Sequence, residues 1–485
     1  MSDELLAQIG GPLAGIGVAV LLIGSARWLR LAALAVAAAG TALVLVRLLP
    51  EGHTVTLVLA ALVGACILAA GATALRRWPW SFAFLALAAA PARIPVSVGD
   101  TEANLLVPLY AVIGAGAVAL AWSLVRDDAR AGELGPLSWP IGAAVAWFGI
   151  SAAWANDTRE ASIDVLFFLV PFALLALLVA RLPWRRAPLR WLLVQLIAMA
   201  ALFAGVGIYQ WLARDIFWNP KVEVGNVFQS FFRVNSLFWD PSIYGRFLVV
   251  AILAALVVLL ARTSVRSTLW IVVAIAGSWV GLLFSFSQSS FAALTAAAAV
   301  LGLLAWRWRA AVALVLVAAV LVPVVAFAPP FERARSALVD NPDRATGGRF
   351  EQVKSGARIA RDNPVLGVGL GGYLDAFAEE EGLRRAPARA ALHATPVTVA
   401  SENGFVGLVL YIWFLAAALV AASRIGPASA LARTTARIGG VTLGAIIVHS
   451  FFYNAFFEDP MMWAALGLIA LALASRDVGE GVSAT

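Results

Sequence analysis

The sequence is poor in the residues that soluble catalytic sites and disulfide-built domains draw on. It has one cysteine, three histidines and four methionines in 485 residues, and only 13 % of its residues are charged. A single cysteine, Cys66, excludes a disulfide framework and a cysteine-based metal site. Its position inside an apolar run reads as a small packing residue. Charged residues make up about 25 % of an ordinary soluble domain, so a chain with so few lacks the polar surface that water requires. What fills the space is apolar: 62 % of the residues are hydrophobic. That excess cannot be hidden in one soluble core and calls for lipid as solvent. Lipid leaves backbone groups no outside partner, so helices are the expected spanning element. The runs are Ala/Leu/Val-rich and do not alternate, which excludes a β-barrel. The N-terminus, MSDELLAQIG, is acidic and has no basic stretch of the cleavable-signal type, so the first run reads as a retained span.

About fifteen apolar segments are visible, each of about 15–22 residues. The fourth, 80–97, is interrupted by Pro91 and Pro95, and the last three cover 402–423, 438–456 and 461–475. The expectation is an all-α polytopic membrane protein with about 14–15 transmembrane helices. The net charge of +7 does not point to nucleic acid, because the arginines sit in short connections. Arg27/Arg30, Arg76/Arg77, Arg126/Arg130, Arg185/Arg186/Arg190, Arg262/Arg266, Arg307/Arg309 and Arg424/Arg433/Arg437 occupy alternate ones. The positive-inside rule assigns that set to the cytoplasm, with the N-terminus outside and the C-terminus inside. One re-entrant early segment would move the N-terminus inside.

Four regions follow: N-terminal membrane helices over 1–212, a membrane core over 213–328 with a short outer loop (213–241), a large outer loop over 329–401, and C-terminal membrane helices over 402–485. The two long loops are rich in Trp, Phe, Arg and Gly, a composition that folds, and long loops usually carry function. There is no internal repeat, which weakens a transporter built from duplicated halves.

The large loop contains GRFEQVKSGARIARD (348–362), an amphipathic pattern with Phe350, Val353 and Ala357 on one face. Lys354, Arg358 and Arg361 share another face, and Arg349 stands at the start beside two glycines. Next comes NPVLGVGLGGY (363–373). Its Gly367, Gly369 and Gly372 match G-x-G-x-x-G, but no strand precedes and no helix opens directly, so a tight turn against the bundle is the better reading. His393 lies just ahead of a membrane segment, where an imidazole can accept a proton from an attacking hydroxyl. Glu402 is expected at the start of the following helix, a position that suits a carboxylate by the helix dipole alone. In the smaller loop, Arg233 precedes a membrane segment and Arg246 lies about a turn inside it. An arginine at that depth costs several kcal/mol unless it pairs or snorkels, and a guanidinium suits phosphate. FSFSQSSF (284–291) supplies a hydroxyl and amide cluster including Gln288, able to line a polar cavity or to bond helix to helix. His449, in the penultimate segment, must face the bundle interior or a cavity. Glu379, Glu380 and Glu381 beside Asp375 do not form a convincing divalent site, and no zinc motif, P-loop or nucleophile elbow occurs.

The order of these pieces resembles the O-antigen ligase and O-antigen polymerase superfamily. R-x-x-S near a proline is followed by the serine-rich turn, a G-R in the long loop, N-P-x-x-G-x-G, a His ahead of E-x-G-x-x-G, and a closing H-S…F-x-x-P stretch. The resemblance covers roughly residues 230–475. It implies a glycosyltransferase with GT-C-like architecture in the bacterial cytoplasmic membrane, working on its outer face. The donor would be a glycan on a polyprenyl diphosphate such as undecaprenyl diphosphate, and the acceptor a hydroxyl of another glycan or glycolipid. It further implies inversion at the anomeric carbon without a metal or other cofactor, and no nucleic-acid partner. Arg349 and His393 match the family's loop arginine and histidine, and Arg233 the arginine ahead of the proline-containing helix start. Gln288 stands where the family often has arginine; Arg246 or Arg358 would supply the missing charge. A lipid-linked-sugar flippase is the rival class, and a structural subunit of an envelope complex the third.

Overall fold

The computed structural model describes residues 2–48, 54–98, 101–126, 128, 130–227, 231–261, 265–327, 340, 348–384, 386, 392–425, 429–454 and 456–475. Side chains at 54–60, 96–103, 265–267 and 320–327 are outside that description. Much of the large loop, including 341–347 and 387–391, lies outside it too.

The helices run α1 (Asp3–Ile23), α2 (Arg27–Val46), α3 (Thr54–Arg77), α4 (Ser81–Ala89), α5 (Val107–Val125), α6 (Ser138–Ser151), α7 (Thr158–Ile163) and α8 (Val170–Ala180). They continue with α9 (Arg186–Ala213), α10 (Pro220–Val227), α11 (Pro241–Leu260), α12 (Val265–Ser285), α13 (Gln288–Trp306) and α14 (Trp308–Phe327). The loop helices α15 (Arg349–Asp362) and α16 (Tyr373–Glu380) follow, then α17 (Thr395–Ser423), α18 (Ala430–Ser450) and α19 (Pro460–Ala474). Among the described residues 11 helical stretches are long and apolar enough to cross a membrane. The protein is an all-α polytopic membrane protein.

Each apolar segment read from the sequence holds a helix, but 80–97 does not hold a full span. Its helix, α4, has only 9 residues. Pro91 and Pro95 cannot donate to a continuing helical ladder. The chain instead forms an antiparallel hairpin of β1 (Ile94–Val98) and β2 (Thr101–Leu105), with Ile94 opposite Leu105. The hairpin gives this stretch of backbone the partners that a continued helix would have given it.

Close helix packing comes from small residues. A Cβ placed on Gly15 would lie 2.6 Å from the Gly149 Cα, so α1 and α6 touch backbone to backbone there. Small residues allow such approach, and dispersion rather than hydrophobic burial then holds helices together in lipid. Between α7 and α8 the chain makes one π-helical turn, Asp164–Leu169. Pro171 would clash with the carbonyl of Phe167 in a regular helix, and the wider turn relieves it. Cys66 is exposed rather than packed in the core, against the packing role its apolar run suggested.

The arginine-rich connections gather at one end of the bundle. There Arg30 is fully buried and holds Glu133 through two nitrogens at 3.0 and 3.1 Å. Arg181 joins Glu133 and also holds Asp128, at 2.7 Å. Side-chain bonds from Arg130 hold Asp128 at about 2, below the usual carboxylate range, against the opposing effect of burial. Tryptophans ring the same end under guanidinium groups: Arg27 over Trp28 at 4.4 Å, and Arg76 and Arg126 over Trp122 at 5.2 and 5.1 Å. Such pairs are at home at a membrane interface, where one side of the ring is wet. The opposite end carries the described parts of 214–240, 348–394 and 451–459, and it holds the candidate site.

Candidate active site

Among the described residues the long loop is fastened to the bundle at a joint whose chemistry follows from a broken helix. Gly404 takes φ +65° and ψ −167° inside α17, which interrupts the helical ladder. In an unbroken helix the Ser401 carbonyl would accept from the Phe405 N–H. Here Phe405 donates to Pro364 O at 2.8 Å, and Ser401 O accepts from Val368 N at 3.0 Å. Glu402 O likewise accepts from Gly369 N at 2.9 Å. The loop thus gives the Ser401 and Glu402 carbonyls new partners in place of helical ones, and Trp147 Nε1 donates to Asn403 O at 3.0 Å. The Glu402 carboxylate is buried and accepts from the backbone N–H groups of Gly371 and Tyr373. Glu402 therefore does not cap a helix start, as its sequence position suggested; α17 begins seven residues earlier, at Thr395. Tight glycine turns against the bundle are found as read: a Cβ on Gly367 would lie 2.4 Å from the Glu402 carbonyl.

The joint hangs α15 over the bundle end, with an inverted face. Gln352, Ser355, Gly356 and Ile359 are buried, whereas Phe350 and Val353 are exposed and Ala357 with them. The reason is steric. Gly356 meets Val397 and Leu392 so closely that only a small-residue face can approach. Arg358 is engaged by Glu380 at 3.1 Å and Glu381 at 3.2 Å, which ties α15 to α16. Sequence reading offered it as a source of charge for phosphate; the structure commits it to a partly exposed carboxylate pair. Such pairs contribute roughly 0–1 kcal/mol. Arg358→Ala is accordingly expected to change any measured activity by less than about threefold and the melting temperature only slightly; a loss of two orders of magnitude would put Arg358 in the site after all.

Four sequence candidates do meet. Arg349, at the first position of α15, lies close enough to both His393 and Arg233 to alter their protonation, and Asp240 faces the same two residues. Burial, and after it the Arg349 guanidinium, hold the His393 imidazole below the usual histidine range; Asp240 pulls the other way. Arg233 donates from Nε to Ser285 O at 3.1 Å, and Asn226 brackets its backbone on both sides at 2.9 Å. Burial lowers its pKa first, with Asp240 opposing; a guanidinium stays charged regardless. The fourth, Arg246, is buried and pairs through Nε with Asp459 at 2.7 Å. Asp459 also caps α19 by accepting from Met461 N at 2.8 Å. The depth of Arg246 is thus balanced by an acid rather than by snorkelling.

His449 is fully buried, and its Nε2 is 3.0 Å from Ser289 Oγ. Ser287 bonds both Ser289 and Ser290, at 3.1 and 2.9 Å. Of the two readings of the serine turn, the structure shows helix-to-helix bonding: Ser289 ties α13 to α18, and the serines also bond one another. Gln288 points the other way and is exposed.

Sequence reading missed two residues of this constellation. Tyr453 stacks on His393 at 6.2 Å, meets His449 edge-on at 5.6 Å, and lies under Arg246 at 5.9 Å. It links two histidines that sit 56 positions apart in the chain. Arg93, beside the hairpin, donates to Asn104 O at 3.2 Å and faces Glu458, Asp459 and Tyr453. Only its place after a proline in a disrupted apolar run could have marked it. Among the described residues no group of three or more metal-ligating side chains forms.

A lateral groove of about 1350 Å3 leads toward these groups. Its walls come from α4, α9, α11, α12, α18 and α19 and are almost wholly apolar. Ala90, Pro460 and Met461 line its end and also line a small cavity of about 30 Å3 that contains Arg93, Arg246, Glu458 and Asp459. A long apolar channel therefore abuts a cluster of arginines with a histidine behind it.

A family profile for O-antigen ligase matches residues 271–412, from α12 through the loop joint into α17. That segment is similar to the O-antigen ligase family, which supports the O-antigen ligase and polymerase superfamily. The matched stretch contains the serine turn, Arg349, His393 and the Glu402 joint, while Arg93, Arg233, Arg246, His449 and Tyr453 lie outside it. No curated protein matches the chain. The profile match points to ligase- or polymerase-type activity, with a lipid-linked glycan and an acceptor as the general partners such activity implies.

Proposed function

We propose that this membrane protein transfers a glycan from a polyprenyl diphosphate carrier to an acceptor hydroxyl at the outer face of the bacterial cytoplasmic membrane. The observation that carries the reading is the continuity between apolar groove and arginine cluster: a lipid tail fits the first and an anionic leaving group the second. The arginine and tryptophan belt at the far end suits the cytoplasmic interface, which leaves the site on the outer side.

His393, neutral because burial and Arg349 disfavour its charged form, takes the proton of the acceptor hydroxyl. The acceptor oxygen bonds to the anomeric carbon as the bond from that carbon to the phosphate oxygen breaks. The electron pair of that bond leaves with the polyprenyl diphosphate. Attack opposite the leaving group inverts the anomeric centre. Arg349 and Arg233 meet the negative charge as it develops, where fixed cations act most strongly. Tyr453 keeps the imidazole ring in place by stacking. The protein's own residues supply base, clamp and channel, so transfer is expected to proceed in EDTA.

The test is transfer by purified protein from a synthetic polyprenyl-diphosphate sugar, with EDTA present, for wild type and Arg349→Ala. Wild-type transfer with a loss of about 10²–10³-fold in the variant is the expected result. Movement of the lipid-linked sugar across a vesicle bilayer without any transfer would replace this reading with a flippase.

A further inference from the structure

The groove gives the site a direction. The groove takes the tail; the small cavity with Arg93 and Arg246, which shares Ala90, Pro460 and Met461 with it, comes next; Tyr453 lies under Arg246, His393 stacks on Tyr453, and Arg349 is within electrostatic reach of His393 and Arg233. A polyprenyl diphosphate laid along that line has two phosphates in a fixed order, the lipid-linked one first and the sugar-linked one second. We propose that Arg93, together with Arg246, holds the lipid-linked phosphate, while Arg349 and Arg233 hold the sugar-linked one. This assignment rests on the carrier reading above.

Three features support Arg93 in that role. Its guanidinium is fixed by the Asn104 carbonyl, which the hairpin presents, so it is pre-oriented rather than trailing in solvent. It lines the same small cavity as Arg246, and the two come from different elements, the stretch after α4 and α11. Finally, Asp459 is already spent on Arg246 and on capping α19, which leaves Glu458 as the acid that faces both arginines. A phosphate arriving between Arg93 and Arg246 must compete with Glu458. The carboxylate then acts as a placeholder that keeps the two cations compatible while the site is empty and yields when the anion arrives.

The proposal makes opposite predictions for neighbouring side chains, which a purely structural ion pair does not. Binding of two probes to the purified full-length protein separates the phosphates: polyprenyl monophosphate carries only the lipid-linked one, and polyprenyl diphosphate carries both. Arg93→Ala is expected to weaken both probes by about tenfold or more, and Arg93→Lys to recover part of that. Arg349→Ala is expected to weaken the diphosphate and leave the monophosphate unchanged. Glu458→Gln is expected to tighten both by about threefold, because an opposing charge is gone. Unfolding temperatures of all four variants identify any loss that comes from misfolding, and the gain in Glu458→Gln cannot arise that way. Should Arg93→Ala spare both probes, or should Glu458→Gln weaken them, the assignment is wrong although the carrier reading stands. If wild type binds neither probe, the carrier reading itself falls and takes this assignment with it.

Discussion

Replacing His393 by glutamine is expected to lower the transfer rate by about 10²–10⁴-fold while donor binding stays within about threefold of wild type. Glutamine keeps a polar side chain of similar reach but cannot accept the proton. The pH profile gives the same residue a second signature. Burial and the Arg349 guanidinium hold the imidazole below the usual value of 6.5. A base must be deprotonated to act, so the rate should be level above neutral pH and fall as pH drops through a midpoint below 6.5. Removing Arg349 takes away one of the two causes of that depression. The residual activity of Arg349→Ala should therefore show a midpoint shifted upward, toward the ordinary histidine value. A profile with its acid limb unchanged in Arg349→Ala, or a His393→Gln protein that no longer binds donor, would remove the base assignment and leave His393 as a phosphate ligand.

Gly404→Ala is expected to cost as much activity through a different route. At φ +65° and ψ −167° the backbone is in a region that is essentially reserved for glycine, and occupying it otherwise costs about 1–3 kcal/mol. A Cβ there would also lie 2.2 Å from the Val365 carbonyl oxygen, which cannot move without breaking the bonds from Val368 and Gly369 to α17. The helix would straighten, the joint would open, and α15 with Arg349 would lose its position over His393. Transfer should fall below detection while the remaining membrane helices stay folded. Limited proteolysis reports on this directly: new cleavage within 363–373 in the variant, with intact fragments on either side, is the expected pattern. Wild-type activity in Gly404→Ala would show that the broken helix has no part in placing the site.

How much of this was visible in the sequence depends on which force set each feature. Apolar runs such as 242–261 are legible because lipid gives the backbone no alternative partner, and the helix Pro241–Leu260 follows within one residue. Failures occurred where tertiary contact outweighed periodicity. Phe350, Val353 and Ala357 form the apolar stripe of α15, yet the helix turns its Gly356 face inward because Leu392 and Val397 leave space for nothing larger. Arg358 looked like a phosphate ligand because its partners, Glu380 and Glu381, are 22 and 23 positions away and read as a separate acidic run. Arg349, Arg233 and His393 could be named because they sit in motifs, and their arrangement brings them into mutual electrostatic reach. Tyr453 and Arg93 could not be, since a tyrosine in an aromatic stretch and an arginine beyond a proline carry no spacing signal. Asp459 carries no spacing signal either, and the structure uses it to balance a buried arginine.

Two of the helices around the groove are short, and that has a consequence for the carrier. With 15 residues α19 rises about 22 Å, and α4 with 9 rises about 14 Å, whereas a hydrocarbon core is about 30 Å thick. Both begin or end at the cavity that holds Arg93 and Arg246. On the proposed carrier reading, this sets a polar basin below the level of the headgroups instead of a site on top of the bilayer. Drawing a lipid outward exposes its chain to water at about 0.8 kcal/mol for each methylene. A carrier that diffuses sideways into such a basin keeps its tail at its resting depth, and the energy that extraction would have consumed remains available to the transfer itself.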